Sequence, residues 1–254
     1  MTEKLLKSVL KRLGSDKLFP RDVVGERRSS MSATESPSLS DGAAQPLCSR
    51  KVSFMLDFPA THKNREVILE VLTDVFLPQE TLEFLELASG SGQHAAYFAQ
   101  SCPSWKIQPS DLESEHLLSI AQYTEHLKLS NVRPPLSLDA ASPNWNLEGK
   151  YDGVWAINLI HISPWESTLG LFRGAADCLK EHGKIFLYGA YKRGGEHSSE
   201  SNAAFDQSLR HSNPEWGVRC LDEVTKVAKD HGFELERVVE MKANNLSVVF
   251  EFQN

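Results

Sequence analysis

Residues Leu82 to Ala99 read LEFLELASGSGQHAAYFA, and the way that stretch breaks decides the fold. Leu82 to Leu87 is a short apolar run of a length suited to a buried strand. Ala88-Ser89-Gly90-Ser91-Gly92 interrupts it. Beyond Gln93, the residues Ala95, Ala96, Tyr97, Phe98 and Ala99 return as a dense apolar block suited to a packed helix. Strand, glycine turn and helix together open a nucleotide-binding α/β domain. Gly90 can take a backbone conformation closed to residues with a Cβ. Gly92 is expected to let the turn lie against a ligand, at which the first N–H groups of the helix also point.

The chemistry around the turn narrows the ligand. There is no Gly-Lys-Ser/Thr, which excludes a P-loop. Gly90-x-Gly92-x-x-Ala95 satisfies the permissive dinucleotide pattern, a weak signal by itself. Glu86, four residues before Gly90, is more telling. A carboxylate at the strand tip would repel a pyrophosphate and suits the ammonium and sulfonium of S-adenosylmethionine. The alternative is a buried strand-end carboxylate capping local amides. Glu86-x-x-x-Gly90-x-Gly92 resembles the first motif of class I S-adenosylmethionine-dependent methyltransferases. The expected cofactor contacts in this turn are Glu86, Ala88, Gly90, Gly92 and Gln93.

Composition bounds the rest. The chain has 254 residues, 41 % of them hydrophobic, and a net charge of −7. That length fits one large α/β domain with extensions. The acidic balance argues against a broad nucleic-acid-binding face, so no nucleic-acid partner is expected. No apolar run reaches membrane-spanning length, so no membrane partner is expected either. Cys48, Cys102, Cys178 and Cys220 are scattered without a C-x-x-C and read as reduced thiols of a cytoplasmic protein. No metal site is assigned, and the oligomeric state is not read.

Residues 1–54 read as a basic, low-complexity extension and 55–254 as the methyltransferase-like domain. Leu5, Leu6, Val9, Leu10 and Leu13 share a helical face in the basic stretch 1–28. A mitochondrial presequence is the second reading of that stretch, opposed by Glu3, Asp16, Asp22 and Glu26. Residues 29–50 have linker composition. Thr61 to Val75 reads as a helix with Val67, Ile68, Val71, Leu72 and Val75 as its stripe, ended by Pro78. Lys63 or Arg65 would meet the methionine carboxylate or an acceptor, or else belong to a solvated first turn.

Trp105 to Gln108 is a second strand, expected to stop at Pro109-Ser110. Asp111 follows nineteen residues after Gly92, where an acid accepts from ribose hydroxyls; it also suits an N-cap for a helix over 112–128. Leu112 beside it is an expected cofactor contact. Asn131 to Leu138 gives a third strand that Pro134 and Pro135 confine to an edge. Asp139 and Ala140 at its end would lie near the adenine, with a loop cap as the alternative for Asp139; Asn144-Trp145 would flank that base. Tyr151 to Ile162 is a fourth strand, apolar on both faces as a central parallel strand should be. Asn158 and His161 break it near its carboxyl end, where such folds bind ligands. Asn158 reads as a cofactor contact and His161 as a general base or a structural histidine. Ser163-Pro164 reads as the start of a helix that ends near Glu181, before a fifth strand over Lys184 to Ala190. Tyr188-x-x-x-Lys192 matches a reductase pair, but that pair needs a helix. Along a strand the two would stand about 13 Å apart, so the reductase signal is rejected.

The polar insert 192–217 leaves the fifth strand on the active-site side, with Gly194-Gly195 as a hinge. Asn202 to Arg210 is expected to make one or two helical turns. The insert reads as a lid that selects substrate, with Arg210, Glu215 and Trp216 as candidate acceptor contacts; a plain surface loop anchored by Trp216 is the alternative. Tyr188 and Tyr191 would shape the acceptor pocket, Tyr191 within catalytic reach. Arg219 to Asp230 reads as a helix, followed by two strands joined through Lys242 to Asn245.

Specific words then carry a family name. Leu87-Ala-Ser-Gly-Ser-Gly-Gln-His-Ala95, Gln108-Pro-Ser-Asp111, Gly170-Leu-Phe-Arg173, Asn213-Pro-Glu-Trp-Gly217 with Arg219, and Ala243-Asn-Asn245 resemble methyltransferase-like protein 26. The likeness spans about Pro59 to Asn254. It implies the class I fold: a Rossmann-like three-layer sandwich whose mostly parallel seven-stranded sheet ends in an antiparallel hairpin. It also implies S-adenosylmethionine as cofactor at Glu86, Gly90, Gly92 and Asp111, and no particular acceptor. The family's Arg-Asn-Lys stands here as Lys63-Asn64-Arg65. The expected function is methyl transfer to an unidentified small-molecule or protein nucleophile. The alternatives are a non-catalytic S-adenosylmethionine binder, since an Asn/Asp-Pro-Pro-Tyr word is replaced by Asn158-Leu-Ile-His161, and a nicotinamide-dependent oxidoreductase.

Overall fold

A computed structural model of the chain describes residues 54–253; the readings of 1–28 and 29–50, and Cys48, lie outside the described residues. Helix α1 (Pro59–Val75) leads into β1 (Glu83–Leu87), α2 (Gln93–Ser101), β2 (Lys106–Asp111), α3 (Ser114–His126) and β3 (Leu136–Ser137). The second half runs through β4 (Tyr151–Ile157), a 3-10 turn (Leu159–His161), α4 (Trp165–Cys178), β5 (Leu179–Arg193), β6 (Glu196–His197) and α5 (Glu200–Ser212). It closes with β7 (Arg219–Cys220), α6 (Leu221–Asp230), β8 (Phe233–Glu240) and β9 (Asn245–Phe252).

The main sheet has the order β3-β2-β1-β4-β5-β9-β8, with β6 and β7 attached to the far end of β5. Strands β1 to β5 pair in parallel. Strand β9 runs antiparallel to both β5 and β8, which is the terminal hairpin the sequence leads one to expect. The order reverses between β1 and β4, so the crevice at their carboxyl ends is where this architecture takes a ligand.

Alternation along the strands fills both faces. On one, Leu85, Leu87, Val154, Ala156, Ile185 and Leu187 pack with Leu171, Phe172 and Ala175 of α4 and Val224 and Ala228 of α6. On the other, Phe84 meets Trp105 and Trp155, each at 4.8 Å between ring centroids. Fully burying each such side chain stabilises by roughly 1.5–3 kcal/mol. Cys102, Cys178 and Cys220 are free and buried, and burial pushes the Cys102 and Cys178 thiols up to about 12.

Several expected boundaries are corrected. Strand β2 continues through Pro109 and Ser110 to Asp111. Pro109 is tolerated because its neighbour β3 joins only at Ser110, where no proline N–H is missed. Strand β3 shrinks to two residues with an isolated bridge between Ile107 and Val132. Strand β4 stops at Ile157 because Asn158 turns left-handed, with φ 62. Ser163 does not cap α4: its hydroxyl donates back to the Leu159 carbonyl at 2.7 Å, and Pro164 holds the cap position. Helix α4 ends at Cys178 rather than near Glu181, and β5 starts immediately after it. Gly194 and Gly195, both at positive φ, form the tight turn between β5 and β6 rather than a hinge. Helix α5 is 13 residues long, more than the turn or two expected. Arg219 and Cys220 pair with Tyr191 and Lys192 of β5 before α6 begins at Leu221.

Candidate functional site

Glu86 sits next to last in β1, in register with Pro109 of β2 and Trp155 of β4. Its side chain therefore shares the aromatic face of the sheet. It is 2 % exposed, and Oε2 has no hydrogen-bond partner among the described residues. Burial raises its pKa from 4.5 to about 7; the nearby Ser89 and Trp155 side chains pull the other way, and the Asp111 charge adds to the rise. A buried carboxylate with an idle oxygen at a crevice is an unfinished arrangement, which a cationic ligand would complete.

The turn after β1 is built on strained backbone. Ala88 has φ 51, Gly90 φ 56 and Gly92 φ 84. The two glycines do different work. A Cβ on Gly90 would stand 3.1 Å from the Phe58 ring. A Cβ on Gly92 would stand 2.8 Å from the Ile120 backbone, so Gly92 lets α3 approach the turn and does not border open space for a ligand. Ser89 N–H donates to the Ser110 carbonyl at 2.8 Å, and Ser110 Oγ donates to the Glu86 carbonyl at 2.7 Å. Those bonds tie the tips of β1 and β2 together.

Asp111 ends β2 and is 5 % exposed. Its Oδ2 accepts from Gly90 N–H at 2.8 Å, and its Oδ1 accepts from Glu113 N–H and meets His116 Nδ1, both at 3.0 Å. A carboxylate offers about four lone-pair sites, so capacity remains for a hydroxyl donor. Asp111 does not occupy the helix cap, which falls on Glu113. Leu112, beside it, is 59 % exposed, an apolar surface at the crevice mouth.

Gln93 turns out to serve the chain itself. Its side chain accepts from Phe58 N–H and Ser91 Oγ, each at 2.8 Å, and donates to Asp57 Oδ1 at 2.7 Å. Further bonds join Leu56 N–H to Ser119 Oγ at 2.9 Å and Tyr123 Oη to the Leu56 carbonyl at 3.0 Å. Residues 54–58 are thereby strapped across the glycine turn and α3. No periodic pattern in the sequence marks that strap; only the amide chemistry of Gln93 hints at it.

The other predicted residues divide. Asp139 caps its own loop, accepting from Ala141 N–H at 2.8 Å. Ala140 is buried under α4, where a Cβ on Gly170 would meet its carbonyl at 2.0 Å. Trp145 packs on Gly174 of α4. Asn158 donates its N–H to the Tyr188 carbonyl at 2.8 Å, beside β5. His161 is fully buried, and its Nδ1 accepts from Arg219 N–H at 3.3 Å. Burial and the Arg219 charge lower its pKa to about 3. It is therefore a neutral ring whose proton is on Nε2, which has no hydrogen-bond partner among the described residues and faces the Cα of Gly189. That geometry supplies a donor, not the general base expected. Tyr191, its edge-to-face neighbour at 5.0 Å, is buried to 1 % exposure, its hydroxyl has no partner among the described residues, and burial holds its pKa far above the ordinary value. Arg65 is buried and lies over the Tyr97 ring at 4.6 Å. Arg210 pairs with Asp206 at 3.2 Å, and Trp216 packs against Ala190, Leu209 and Val218. Thus Glu86, Gly90, Asp111 and Leu112 gather at one crevice, while Asn158 follows the end of β4 and Tyr188, within β5, stands level with that end. Ala140 and Gln93 pack into the protein, and Arg210 and Trp216 stay with the insert.

His94 and Asn64 were missed. His94 Nε2 lies 2.9 Å from Asn64 Oδ1, joining α2 to α1. The signal for it was the word Gln93-His94 itself, polar where a helix packed on a sheet should be apolar.

The comparisons with known proteins agree with the topology. The family model described as "Protein of unknown function (DUF938)" matches residues 56–252. An O-methyltransferase family protein from Burkholderia thailandensis superposes with a TM-score of 0.66 at 14 % identity, over 77 % of this chain and 58 % of that one. The S-adenosylmethionine-dependent methyltransferase SibL, in its apo form, gives 0.62 at 16 %, over 76 % and 57 %. Magnesium protoporphyrin IX methyltransferase (ChlM) from Synechocystis PCC 6803, with bound S-adenosylhomocysteine, gives 0.59 at 15 %, over 84 % and 90 %. The chain thus spans less than three fifths of the first and second of these proteins. The shared architecture is the class I methyltransferase fold.

Proposed function

The chain belongs to the family described as "Protein of unknown function (DUF938)", and from that premise and its fold we propose that it is an S-adenosylmethionine-dependent methyltransferase. More finely, we read it as kin to methyltransferase-like protein 26. The observation that carries the proposal is the buried carboxylate of Glu86, whose Oε2 has no partner among the described residues, at the switch point of the sheet. The fit of residues to cofactor supports it. Glu86 would hold a cationic group, Asp111 would accept from ribose hydroxyls, and Leu112 would cover an apolar ring face. The amide of Asn158 stands at the neighbouring strand end. When bound, S-adenosylmethionine supplies a methyl group already activated by a cationic sulfur. What remains for the protein is alignment and exclusion of water, which proximity and orientation provide. Tyr188 is the residue best placed to shape the acceptor side.

Calorimetry with S-adenosylhomocysteine and with NAD tests the cofactor; binding of the first and not the second is expected. Tritium transfer from labelled S-adenosylmethionine into cell extract tests the activity. We expect Glu86→Ala with Asp111→Ala to abolish both. Transfer that survives the double substitution sinks the site assignment. Binding without any transfer would favour the non-catalytic reading.

A further inference from the structure

Accepting methyl transfer as the reading above has it, the polar chain His94–Asn64–Tyr188–Asn245 has a free end, and its direction can be worked out. Asn64 Oδ1 faces His94 Nε2 at 2.9 Å, so the ring donates from Nε2. The Asn64 amide then has its N–H pair left for Tyr188, whose hydroxyl interacts with the side chains of Asn64 and Asn245. Asn245 also donates an N–H to the Lys242 carbonyl at 3.3 Å. His94 thus donates into this chain through Nε2. The ring is left with Nδ1 as a bare acceptor, which has no hydrogen-bond partner among the described residues, on a residue that keeps partial solvent access.

The position matters as much as the direction. Glu86 is in register with Trp155, Trp155 with Phe186, and Tyr188 lies two residues beyond Phe186. Glu86 and Tyr188 therefore project from the same face of the sheet, Tyr188 nearer the carboxyl end. His94 is the second residue of α2, directly after the glycine turn. The chain thus lies on the sheet face that carries Glu86, toward the carboxyl ends of the strands.

We propose that Nδ1 of His94 is the docking point for the methyl acceptor, and that the acceptor is a neutral oxygen nucleophile carrying its own proton, a phenol or a similar hydroxyl. A bare lone pair selects for an O–H donor. A carboxylate acceptor would offer it nothing but another lone pair. An aliphatic amine would arrive as an ammonium beside the Arg65 guanidinium, whose charge already acts on His94. Burial and that same charge hold the ring neutral, with its pKa lowered to about 3. His94 on this view positions the acceptor: its oxygen gains the methyl as the methyl–sulfur bond breaks, and the O–H proton, made strongly acidic by that gain, leaves along the hydrogen bond to Nδ1 and on to solvent, which His94 reaches.

Phenol is the probe. Full-length protein labelled with nitrogen-15 at histidine and saturated with S-adenosylhomocysteine is followed by ring-nitrogen NMR. His94 should appear as the neutral Nε2–H tautomer, and phenol should move its Nδ1 resonance saturably while toluene leaves it in place. A charged ring, an Nδ1–H tautomer, no response to phenol or an equal response to toluene overturns the proposal. In calorimetry His94→Ala should weaken phenol about tenfold and leave S-adenosylhomocysteine within about twofold; unchanged phenol binding counts against the site. If S-adenosylhomocysteine itself gives no heat with the parent chain, the methyl-transfer reading falls, and the acceptor site falls with it.

Discussion

Single residues in the crevice carry opposite burdens. Glu86 is held at a cost in the absence of ligand, and the sign of that cost can be tested. Its folded pKa of about 7 lies above its ordinary 4.5, so the folded state binds the proton more tightly. The associated stability is full below 4.5 and is lost as pH rises through 7. Glu86→Gln removes that loss. Urea unfolding should show the ligand-free variant more stable than the parent above pH 7, by on the order of 2 kcal/mol, with the gap closing toward acid pH. Parallel curves would mean that the carboxylate is solvated after all. Gly92 answers to packing instead. Gly92→Ala meets the Ile120 backbone and a left-handed φ together and should cost more than about 2 kcal/mol. Gly195→Ala, with a similar φ of 82 and nothing within 4 Å of its added Cβ, should cost only about 1 kcal/mol in the same assay.

At the scale of elements, the chain's most economical fastening is Arg219. Its Nε donates to the Ile160 carbonyl at 2.9 Å, and one Nη donates to the carbonyls of Ser163 at 2.7 Å and Glu215 at 2.8 Å. Its guanidinium also lies over Trp165 at 5.5 Å. One side chain thus holds the 3-10 turn, the start of α4 and the end of the insert against β7. Arg219→Lys keeps the charge but loses the planar fork. It should lower stability by about 2 kcal/mol and speed hydrogen exchange at residues 159–163, whereas Glu196→Gln at the exposed β6 turn should do neither. This clamp also explains what the sequence disclosed and what it withheld. Apolar runs bounded by glycines gave away the parallel strands, the glycine turn and the terminal hairpin, because burial on both faces leaves a composition that any reader can see. The strand-tip positions of Glu86 and Asp111 were legible because the apolar runs they follow end where the turns begin. Pro109 misled because its tolerance depends on where the neighbouring strand begins, a fact of register. His161 misled because its role is set by Arg219, which lies fifty-eight residues away in sequence. The strap over 54–58 and the His94–Asn64 contact were invisible for the same reason: each is a side-chain bond between elements distant in the chain.

For the described domain as a whole, the sheet offers two ends and the topology chooses between them. At the amino ends of β1 and β2, Thr81, Ser104, Lys106, Ser130, Asn131 and Arg133 line a polar cavity. Its two cations are both paired with Glu83, Lys106 at 3.4 Å and Arg133 at 2.7 Å. At the carboxyl ends lie the crevice, the idle Glu86 oxygen and the strained turn. An open α/β sheet binds at its carboxyl ends, where helix amides and loop backbones converge. A ligand that binds only the folded state at about one hundred times its dissociation constant adds about 2.7 kcal/mol of stability. Hydrogen exchange with saturating S-adenosylhomocysteine should therefore slow globally in the core. It should slow beyond that share at Ala88 to Gln93, at Leu112 and Glu113, and at residues 54–58, whose amides are tied to the same turn. Thr81, Ser104 and Ser130 should gain no more than the global share. Local protection at the amino-end cavity, with the glycine turn left unchanged, would place the ligand on the wrong side of the sheet. The acid at the tip of β1 would then need a purely structural explanation.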